Sequence, residues 1–291
     1  MTVSIDRPRK LGIAAGGGPL PLAVAEAALA AGREIFIVGV RGAAGPAIER
    51  YPHGWVRVGA MGRFLRLFKQ AGCDDVVIIG PMTRPTLRDI LPDFQGLLLL
   101  PRFIKRMKTG DDALLRGVVE FLEENGIRVI GAETVLPSLL ASEGLLSKAA
   151  PSPSQEADID AAIRAAQEIG ARDIGQGAVV CRGSVLALED VKGTDAMLGR
   201  VAAMPAEGRG SEVARDGVLV KLPKPAQERR VDLPTIGVRT VERAAEAGLA
   251  GIAVEAGGAI VADAEGVARK ADELGLFVLG FPHSRTHGAR S

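Results

Sequence analysis

Histidine, cysteine and aromatic residues are scarce in this sequence, and their scarcity narrows the chemistry open to it. The chain has three histidines, two cysteines and 3% aromatic residues. His283 and His287 lie in a tail predicted to be loose from Phe281 onward, so a histidine-based mechanism is disfavoured. Cys73 and Cys181 form neither a CxxC pair nor a Cys/His spacing of the zinc type. We expect two buried, inert thiols, as in proteins of a reducing compartment.

Long apolar runs and an excess of charge are also missing. No apolar segment approaches the roughly 18 residues that cross a bilayer, and the first residues lack the charged start, apolar run and cleavage site of a signal peptide. These absences predict a cytoplasmic protein. The formal net charge is +1, which disfavours nucleic acid as a partner but leaves room for a local basic pocket.

Apolar strands that alternate with alanine-rich helices predict an α/β fold. A strand at Lys10–Ala14, a glycine turn, a helix and a second strand at Glu34–Val40 form a βαβ start, which implies a parallel sheet with a right-handed crossover. Periodicity fades after residue 133, where proline and glycine recur. We therefore predict an N-terminal Rossmann-like domain over residues 1–137 and a C-terminal mixed α/β domain over residues 142–291.

The first glycine turn, Gly16-Gly17-Gly18, departs from the known phosphate-binding loops. It does not satisfy GxGxxG, and it lacks the Gly-Lys-Ser/Thr of a P-loop. Two interpretations stay open. The turn either lets helix and strand pack closely, or the backbone amides of Gly17 and Gly18 cradle a phosphate or sugar at the helix N-terminus.

Two further places in the first half contain polar candidates. Thr83 and Arg84 follow an apolar strand, where ligands of open α/β sheets bind; a proline-bounded surface turn is the alternative. Asp111 and Asp112 begin a predicted helix that runs to Glu124. Capping of that helix is the favoured interpretation, and a catalytic role is the alternative.

The second half offers two polar groups near predicted strand and helix ends. Gln176 precedes a strand and can both donate and accept hydrogen bonds, as base or sugar recognition requires. Thr194, close to Glu189, offers a hydroxyl and free amides to a phosphate at a helix N-terminus, while Asp195 could bind a cation or a ribose hydroxyl. A plain helix-to-strand connection and simple N-capping are the alternatives.

The stretch from Val220 to Gly237 crowds six charged residues between three prolines. If residues 228–232 are extended, Glu228, Arg230 and Asp232 share one face, and the two carboxylates stand about 13 Å apart. That separation is too large for both to hold one metal ion. If a metal ion has a second protein ligand, that ligand must come from elsewhere, and Asp195 is the first candidate.

This stretch predicts an anion-binding site with a carboxylate beside it. A pyrophosphate would meet Lys221, Lys224 and Arg230, and Asp232 would coordinate Mg²⁺ or orient water for in-line attack. A charged edge strand between prolines is the alternative interpretation.

Five segments then stand in a characteristic order along nearly the whole chain: Leu11–Gly18, Gly110–Arg116, Asp173–Gly177, Gly193–Leu198 and Lys224–Pro234. Any one of them is a weak signal, but the five together resemble the LpxI-type UDP-2,3-diacylglucosamine pyrophosphatases of lipid A biosynthesis. Many members of that family have aspartate where this chain has Glu228, whose side chain is one methylene longer.

The resemblance implies two α/β domains with a ligand cleft between them. It implies Mg²⁺-dependent hydrolysis of the substrate's pyrophosphate to UMP and 2,3-diacylglucosamine 1-phosphate (lipid X). The family's essential aspartate, in Arg-x-Asp-x-Pro, falls on Asp232, which leaves Arg230 and Lys224 to hold phosphate. Transient contact with the inner face of the inner membrane, where an acylated substrate partitions, and a homodimer are further expectations.

Two other functional classes remain as alternatives. A nicotinamide-dependent oxidoreductase would use the first βαβ unit, but the broken GxGxxG disfavours it. A non-catalytic nucleotide-sugar sensor would bind the same ligand without turning it over.

Overall fold

The computed structural model describes residues 9–82, 92–98 and 111–287. Contacts within the chain separate two compact units. The first contains the chain up to Pro137 together with Glu228–Asp232, and the second contains Ser138–Gln227 and the chain from Leu233 onward. The predicted boundary near residue 137 coincides with the first division, whereas residues 228–232, predicted as part of the C-terminal domain, group with the N-terminal unit.

The N-terminal unit is built on a five-stranded parallel sheet, as predicted. Its strand order is β3-β2-β1-β4-β5, which matches the first five positions of the doubly wound order 3-2-1-4-5-6. The strands are β1 (Leu11–Ala15), β2 (Ile35–Val40), β3 (His53–Val56), β4 (Asp75–Ile79) and β5 (Arg128–Val129), and the helices are α1 (Leu20–Ala30), α2 (Met61–Ala71) and α3 (Asp111–Glu124). Residues 94–98 are also helical.

The central strands of this sheet are apolar because both of their faces are covered. Every residue of β1 is buried, and Phe68 of α2 packs directly on that strand. A Cβ atom at Gly12 would stand 2.6 Å from the Phe68 ring, so the absence of a side chain at Gly12 permits this close packing.

The C-terminal unit contains a six-stranded mixed sheet of order β6-β13-β11-β9-β7-β8 and a small parallel pair, β10 with β12. The mixed sheet confirms the predicted α/β class of this half. The strands are β6 (Gly144–Leu145), β7 (Gly177–Cys181), β8 (Ser184–Leu188), β9 (Val218–Lys221), β10 (Thr235–Ile236), β11 (Gly251–Glu255), β12 (Ile260–Val261) and β13 (Phe277–Phe281), and the helices are α4 (Pro153–Ala171), α5 (Gly193–Ala202), α6 (Val238–Glu246) and α7 (Ala264–Leu274).

Helices cover both faces of the mixed sheet. Successive residues of β9 point to opposite faces: Val218 and Val220 join the apolar cluster under α4, and Leu219 joins the cluster under α5, α6 and α7. Lys221 is the last residue of β9 and is also buried, which makes it the exception in an otherwise apolar strand.

The prediction of two inert thiols is confirmed. Cys73 and Cys181 are both buried and unpaired. Burial raises the pKa of each thiol to about 11, so neither is a thiolate at neutral pH.

The prediction of a loose tail from Phe281 is wrong as far as His287. Phe281 ends β13, and a short 3-10 helix follows over His283–His287. The guanidinium of Arg285 forms ion pairs with Glu156 and Asp160 of α4, each at 2.7 Å. These partners lie more than a hundred residues earlier, and local sequence patterns do not reveal them.

A buried carboxylate ties together the amino-terminal edge of the first sheet. The Asp75 side chain is 3% exposed and accepts from Arg128 Nε (2.8 Å) and from Arg33 Nη2 (2.9 Å). Burial by itself would raise the pKa of Asp75, but the hydrogen bonds and positive charges of the two arginines lower it below its ordinary value.

We expect Asp75→Asn to destabilise the N-terminal unit by up to about 3 kcal/mol at neutral pH, since it leaves two cations without their carboxylate. Because the folded pKa is lowered, the wild type loses this stabilisation as the pH falls through that pKa, whereas the variant has none to lose. Trp55, the only tryptophan and part of β3, reports urea unfolding of this unit by fluorescence.

The exposed neighbour provides the control. Asp74→Asn removes a carboxylate one residue away and should retain both the stability and the acid dependence of the wild type. If Asp75→Asn and wild type respond identically to pH, the proposed contribution of the Asp75 carboxylate is wrong.

Candidate functional site

The segment that carries Asp232 is a turn and not the extended strand we predicted. The amide N–H groups of Val231 and Asp232 both donate to the carbonyl of Glu228, at 3.1 and 3.0 Å. The Arg230 side chain folds back in the same way: its Nε and Nη2 reach the two Glu228 carboxylate oxygens at 2.9 and 2.8 Å. The separation of about 13 Å that an extended chain would give therefore does not apply.

Arg230 also binds the body of the N-terminal unit. Its Nη1 donates to Glu123 Oε1 of α3 (2.6 Å) and to the carbonyl of Val129 in β5 (3.2 Å). The hydrogen bond from Arg230 lowers the pKa of Glu228, and hydrogen bonds to Glu228 and Glu123 raise the pKa of Arg230. The guanidinium is thus fixed between two carboxylates, and a phosphate would have to displace one of them.

These contacts place Asp232 on the N-terminal unit at the end of a fixed turn. Val231 packs against the apolar core of that unit, and Asp232 is half-buried. The Arg-x-Asp-x-Pro pattern therefore has a local physical meaning: the arginine fixes the turn, and the aspartate follows it.

The first glycine turn lies on the same unit, at the carboxyl end of β1. The Gly17 amide N–H donates to the carbonyl of Pro81 at 2.8 Å, so this amide already has a partner. A Cβ atom on Gly16 would stand 2.3 Å from the Gly80 carbonyl oxygen, and Gly18 has a φ of 74°. The close approach and the left-handed conformation explain the glycines as requirements of a tight turn.

Four other candidates of the first half lie outside the described residues or at their edge. Thr83 and Arg84 are outside the described residues, and Asp111 and Asp112 are described only as the start of α3. Their proposed roles stay predictions.

The C-terminal unit contains a buried ion pair bridged by a hydroxyl. The side chains of Glu189 and Lys221 are 7% and 6% exposed, and Lys221 Nζ stands 3.8 Å from Glu189 Oε1. The Thr194 hydroxyl donates to Glu189 Oε1 at 2.6 Å and accepts from Lys221 Nζ at 2.8 Å. A buried charge pair requires such additional hydrogen bonds to offset the loss of its hydration.

This pair continues into a longer polar network. The Gln176 N–H donates to Glu189 Oε2 at 3.1 Å, and the Gln176 side-chain oxygen accepts from Gln227 Nε2 at 3.1 Å. Gln227 Oε1 accepts from the backbone N–H of Lys224 at 2.9 Å, and Lys224 Nζ pairs with Asp173. Three predicted ligand-binding residues, Gln176, Thr194 and Lys224, thus belong to one network.

The sheet topology explains why these residues meet. Residue pairing sets Gly177 at the start of β7 opposite Lys221 at the end of β9, and the Glu189 amide bonds to the Gly177 carbonyl. Lys221 also lies opposite Val254 of the parallel strand β11. The network therefore occupies the carboxyl edge of the parallel strands β9 and β11, the edge at which open α/β sheets bind ligands.

Asp195 is placed differently from the other candidates. Its carboxylate pairs with Arg239 Nη2 at 2.8 Å, with both side chains well exposed. A cation at Asp195 would compete with that guanidinium. Among the described residues, no cluster of three or more histidine, cysteine, aspartate or glutamate side chains could hold a metal ion.

Lys221, predicted to meet a pyrophosphate, is paired here with Glu189, and Gln227 is the network residue that sequence patterns did not single out. The sequence signal for Lys221 is its position, because this charged residue ends the apolar run of β9. Gln227 gave no such signal, since it lies in an irregular segment.

We expect Lys221→Met to destabilise the protein by about 3–5 kcal/mol, because Glu189 is then left charged, buried and without its cation. The double variant Glu189→Gln/Lys221→Met should cost less than the sum of the single variants, with a coupling free energy of about 1–3 kcal/mol. Urea unfolding followed by circular dichroism measures all four members of the cycle.

An exposed pair on α7 supplies the matched control. Lys270 and Glu273 form an i, i+3 ion pair with side chains 30% and 51% exposed, and the cycle built on Lys270→Met and Glu273→Gln should give a much smaller coupling, because water screens an exposed pair. Equal coupling in the two cycles would contradict the importance of burial at Lys221.

Comparison with known proteins identifies both halves of the chain. The model of the LpxI N-terminal domain matches residues 10–139, and that of the LpxI C-terminal domain matches residues 142–279. A protein of Caulobacter vibrioides named UDP-2,3-diacylglucosamine pyrophosphatase LpxI is 50% identical over 272 residues, which cover 94% of this chain and 97% of that protein. A solved structure of the precorrin-6A reductase CobK aligns with 94% of this chain over 88% of its own length, at 14% identity and a TM-score of 0.33.

Proposed function

This chain belongs to the LpxI family, and we propose that it hydrolyses the pyrophosphate of UDP-2,3-diacylglucosamine to UMP and 2,3-diacylglucosamine 1-phosphate. The observation that carries the proposal is the match of both halves of the chain, in order, to the two domains of that family. In the reaction, water adds to one phosphorus atom, the bond from that phosphorus to the bridging oxygen breaks, and the bridging oxygen leaves with the other phosphate.

Asp232 is the proposed catalytic carboxylate. The turn from Glu228 to Asp232 fixes its backbone through two hydrogen bonds to the Glu228 carbonyl, so the carboxylate starts from a defined position. Within the N-terminal unit, this anchoring supports a role for Asp232 in orienting the attacking water or accepting its proton. Arg230 then acts as a positioning residue through the turn, in place of the direct phosphate contact that its charge suggested.

Mg²⁺ is the proposed cofactor, with Asp232 as a protein ligand. Mg²⁺ commonly binds one or two carboxylates and completes its octahedron with water and substrate phosphates. A site with few protein ligands therefore fits the described residues, among which no larger acidic cluster occurs. When bound, Mg²⁺ would offset the negative charge of the pyrophosphate. Asp195 is the weaker candidate, because Arg239 already pairs with it.

The network of the C-terminal unit provides the proposed recognition groups. Lys224 is a cation whose partner Asp173 is partly exposed, so exchange of that carboxylate for a substrate phosphate costs little desolvation. Gln176 presents an amide suited to a base or sugar. The buried Glu189 fixes the Gln176 backbone by accepting from its N–H.

The acyl chains of the substrate set where the reaction takes place. Within the described ranges, no helix is long and apolar enough to cross a bilayer. We place the enzyme in the cytoplasm, in transient contact with the inner face of the inner membrane into which the substrate partitions. We also propose a homodimer, from the family resemblance.

We expect Asp232→Asn to reduce UMP release from UDP-2,3-diacylglucosamine by about a thousandfold or more, since several kcal/mol of transition-state stabilisation are lost and each 1.36 kcal/mol is tenfold in rate. Substrate binding, measured by calorimetry, should persist. Asp74→Asn, an exposed aspartate of the same unit, serves as the control and should release UMP like the wild type. Full turnover by the Asp232 variant would remove this carboxylate from the mechanism.

Metal dependence is a separate expectation. Excess EDTA should abolish UMP release, and added Mg²⁺ should restore it, because the pyrophosphate charge is no longer neutralised without the ion. Restoration should follow the Mg²⁺ concentration in a saturable way. Unchanged turnover in excess chelator would exclude the proposed cofactor.

A further inference from the structure

Residues 92–98 of the N-terminal unit present a dense group of exposed apolar side chains. Phe94, Leu97 and Leu98 are 77%, 56% and 67% exposed and lie within five residues of one another. Single exposed apolar residues are common on protein surfaces, but contiguous groups of them mark places where another molecule binds.

This group is held firmly on α2. The Asp93 carboxylate accepts from the backbone N–H groups of Gly62 (3.1 Å), Arg63 (2.7 Å) and Gly96 (2.8 Å). Ala60, which precedes α2, has no side-chain acceptor. The Asp93 carboxylate therefore takes the role of the N-cap and accepts from N–H groups of the first helical turn. The three exposed apolar side chains therefore follow a backbone that is anchored at both Asp93 and Gly96.

Cations border the same group. A pocket of about 500 Å³ lies between α2 and this segment, and its lining includes Arg66, Lys69 and Phe94. Arg63, Arg66 and Lys69 are exposed at spacings of three residues, which sets them along one side of α2. Among the described residues that line the pocket, Asp93 is the one carboxylate, and its oxygens already accept three hydrogen bonds.

We propose that this surface, formed by Phe94, Leu97 and Leu98 with Arg63, Arg66 and Lys69, docks the protein on a bilayer rich in anionic phospholipid. The apolar side chains enter the region between headgroups and acyl chains, and the cations lie against the headgroup phosphates. The proposal rests on the proposed function in one respect, since an enzyme for an acylated nucleotide sugar must reach the membrane that holds its substrate.

Charge favours a bilayer over a second copy of the chain. A symmetric contact between two copies would bring the same patch together with itself, and the cations of Arg63, Arg66 and Lys69 would then face their own counterparts. An anionic bilayer is complementary to these cations, and each of them should raise the partition coefficient by roughly fivefold.

Vesicle sedimentation of the full chain, in the absence of substrate, tests the proposal. The wild type should bind vesicles of mixed phosphatidylglycerol and phosphatidylcholine at least about tenfold better than vesicles of phosphatidylcholine alone. Phe94→Ser/Leu98→Ser should lose binding to both kinds of vesicle. Arg66→Gln/Lys69→Gln should keep only the preference for phosphatidylglycerol that Arg63 supplies, roughly fivefold.

Matched controls separate the surface from general effects of polarity and charge. Val213→Ser changes an apolar side chain that is 97% exposed on the other unit, and Arg164→Gln/Arg172→Gln removes two exposed cations there. Both controls should bind vesicles like the wild type. Thermal unfolding of every variant should match the wild type, because all substituted side chains are exposed.

Several outcomes would overturn the proposal. The first is equal vesicle binding by the wild type and Phe94→Ser/Leu98→Ser. The second is no vesicle binding by the wild type. The third is self-association of the wild type that Phe94→Ser/Leu98→Ser abolishes, with no vesicle binding by either protein. Hydrolysis of detergent-dispersed substrate separates this proposal from the enzymatic one, since the surface variants should retain it. Vesicle binding without any hydrolysis would support docking and remove the proposed activity.

Discussion

The guanidinium of Arg230 holds the segment on which the proposed chemistry depends. Its planar fork reaches both oxygens of Glu228 and also Glu123 Oε1, which a lysine ammonium could not do in the same geometry. Because these bonds tie a short turn to α3, Asp232 follows at a fixed place on the N-terminal unit. The flanking residues up to Gln227 and from Leu233 belong to the C-terminal unit, so the bonds of Arg230 and the packing of Val231 place the carboxylate on the N-terminal unit.

The polar carboxyl edge of the C-terminal sheet also depends on paired charges, and there the charged side chains are buried. Glu189 and Lys221 tolerate burial because the Thr194 hydroxyl satisfies both of them. The outer members of the network, Lys224 and Gln176, are held by partners that are themselves polar side chains. A ligand that binds there exchanges one set of polar partners for another, and the buried members keep the edge in place while it does so.

Prediction from sequence was accurate where a local pattern of apolar residues sets the burial. The apolar run from Asp75 became β4, almost all of which is buried. The alanine-rich run from Leu20 became α1, which buries residues at helical spacing. It was wrong for the extended form of residues 228–232, where Arg230 bonds to Glu123 a hundred positions earlier. It was wrong for the tail for the same reason, since Arg285 pairs with residues of α4.

The sequence by itself determined the α/β class and the family, because periodicity and short motifs are local properties. It also marked Gln176, Thr194 and Lys224 as polar residues at the ends of elements. Only the tertiary structure decided that these three share one network with Glu189, because the strand order β9-β7-β8 sets which element ends become neighbours. Only the tertiary structure shows that Arg230 pairs with Glu228 and Glu123 and that Asp195 pairs with Arg239. An ion pair depends on distance in space and not on separation along the chain.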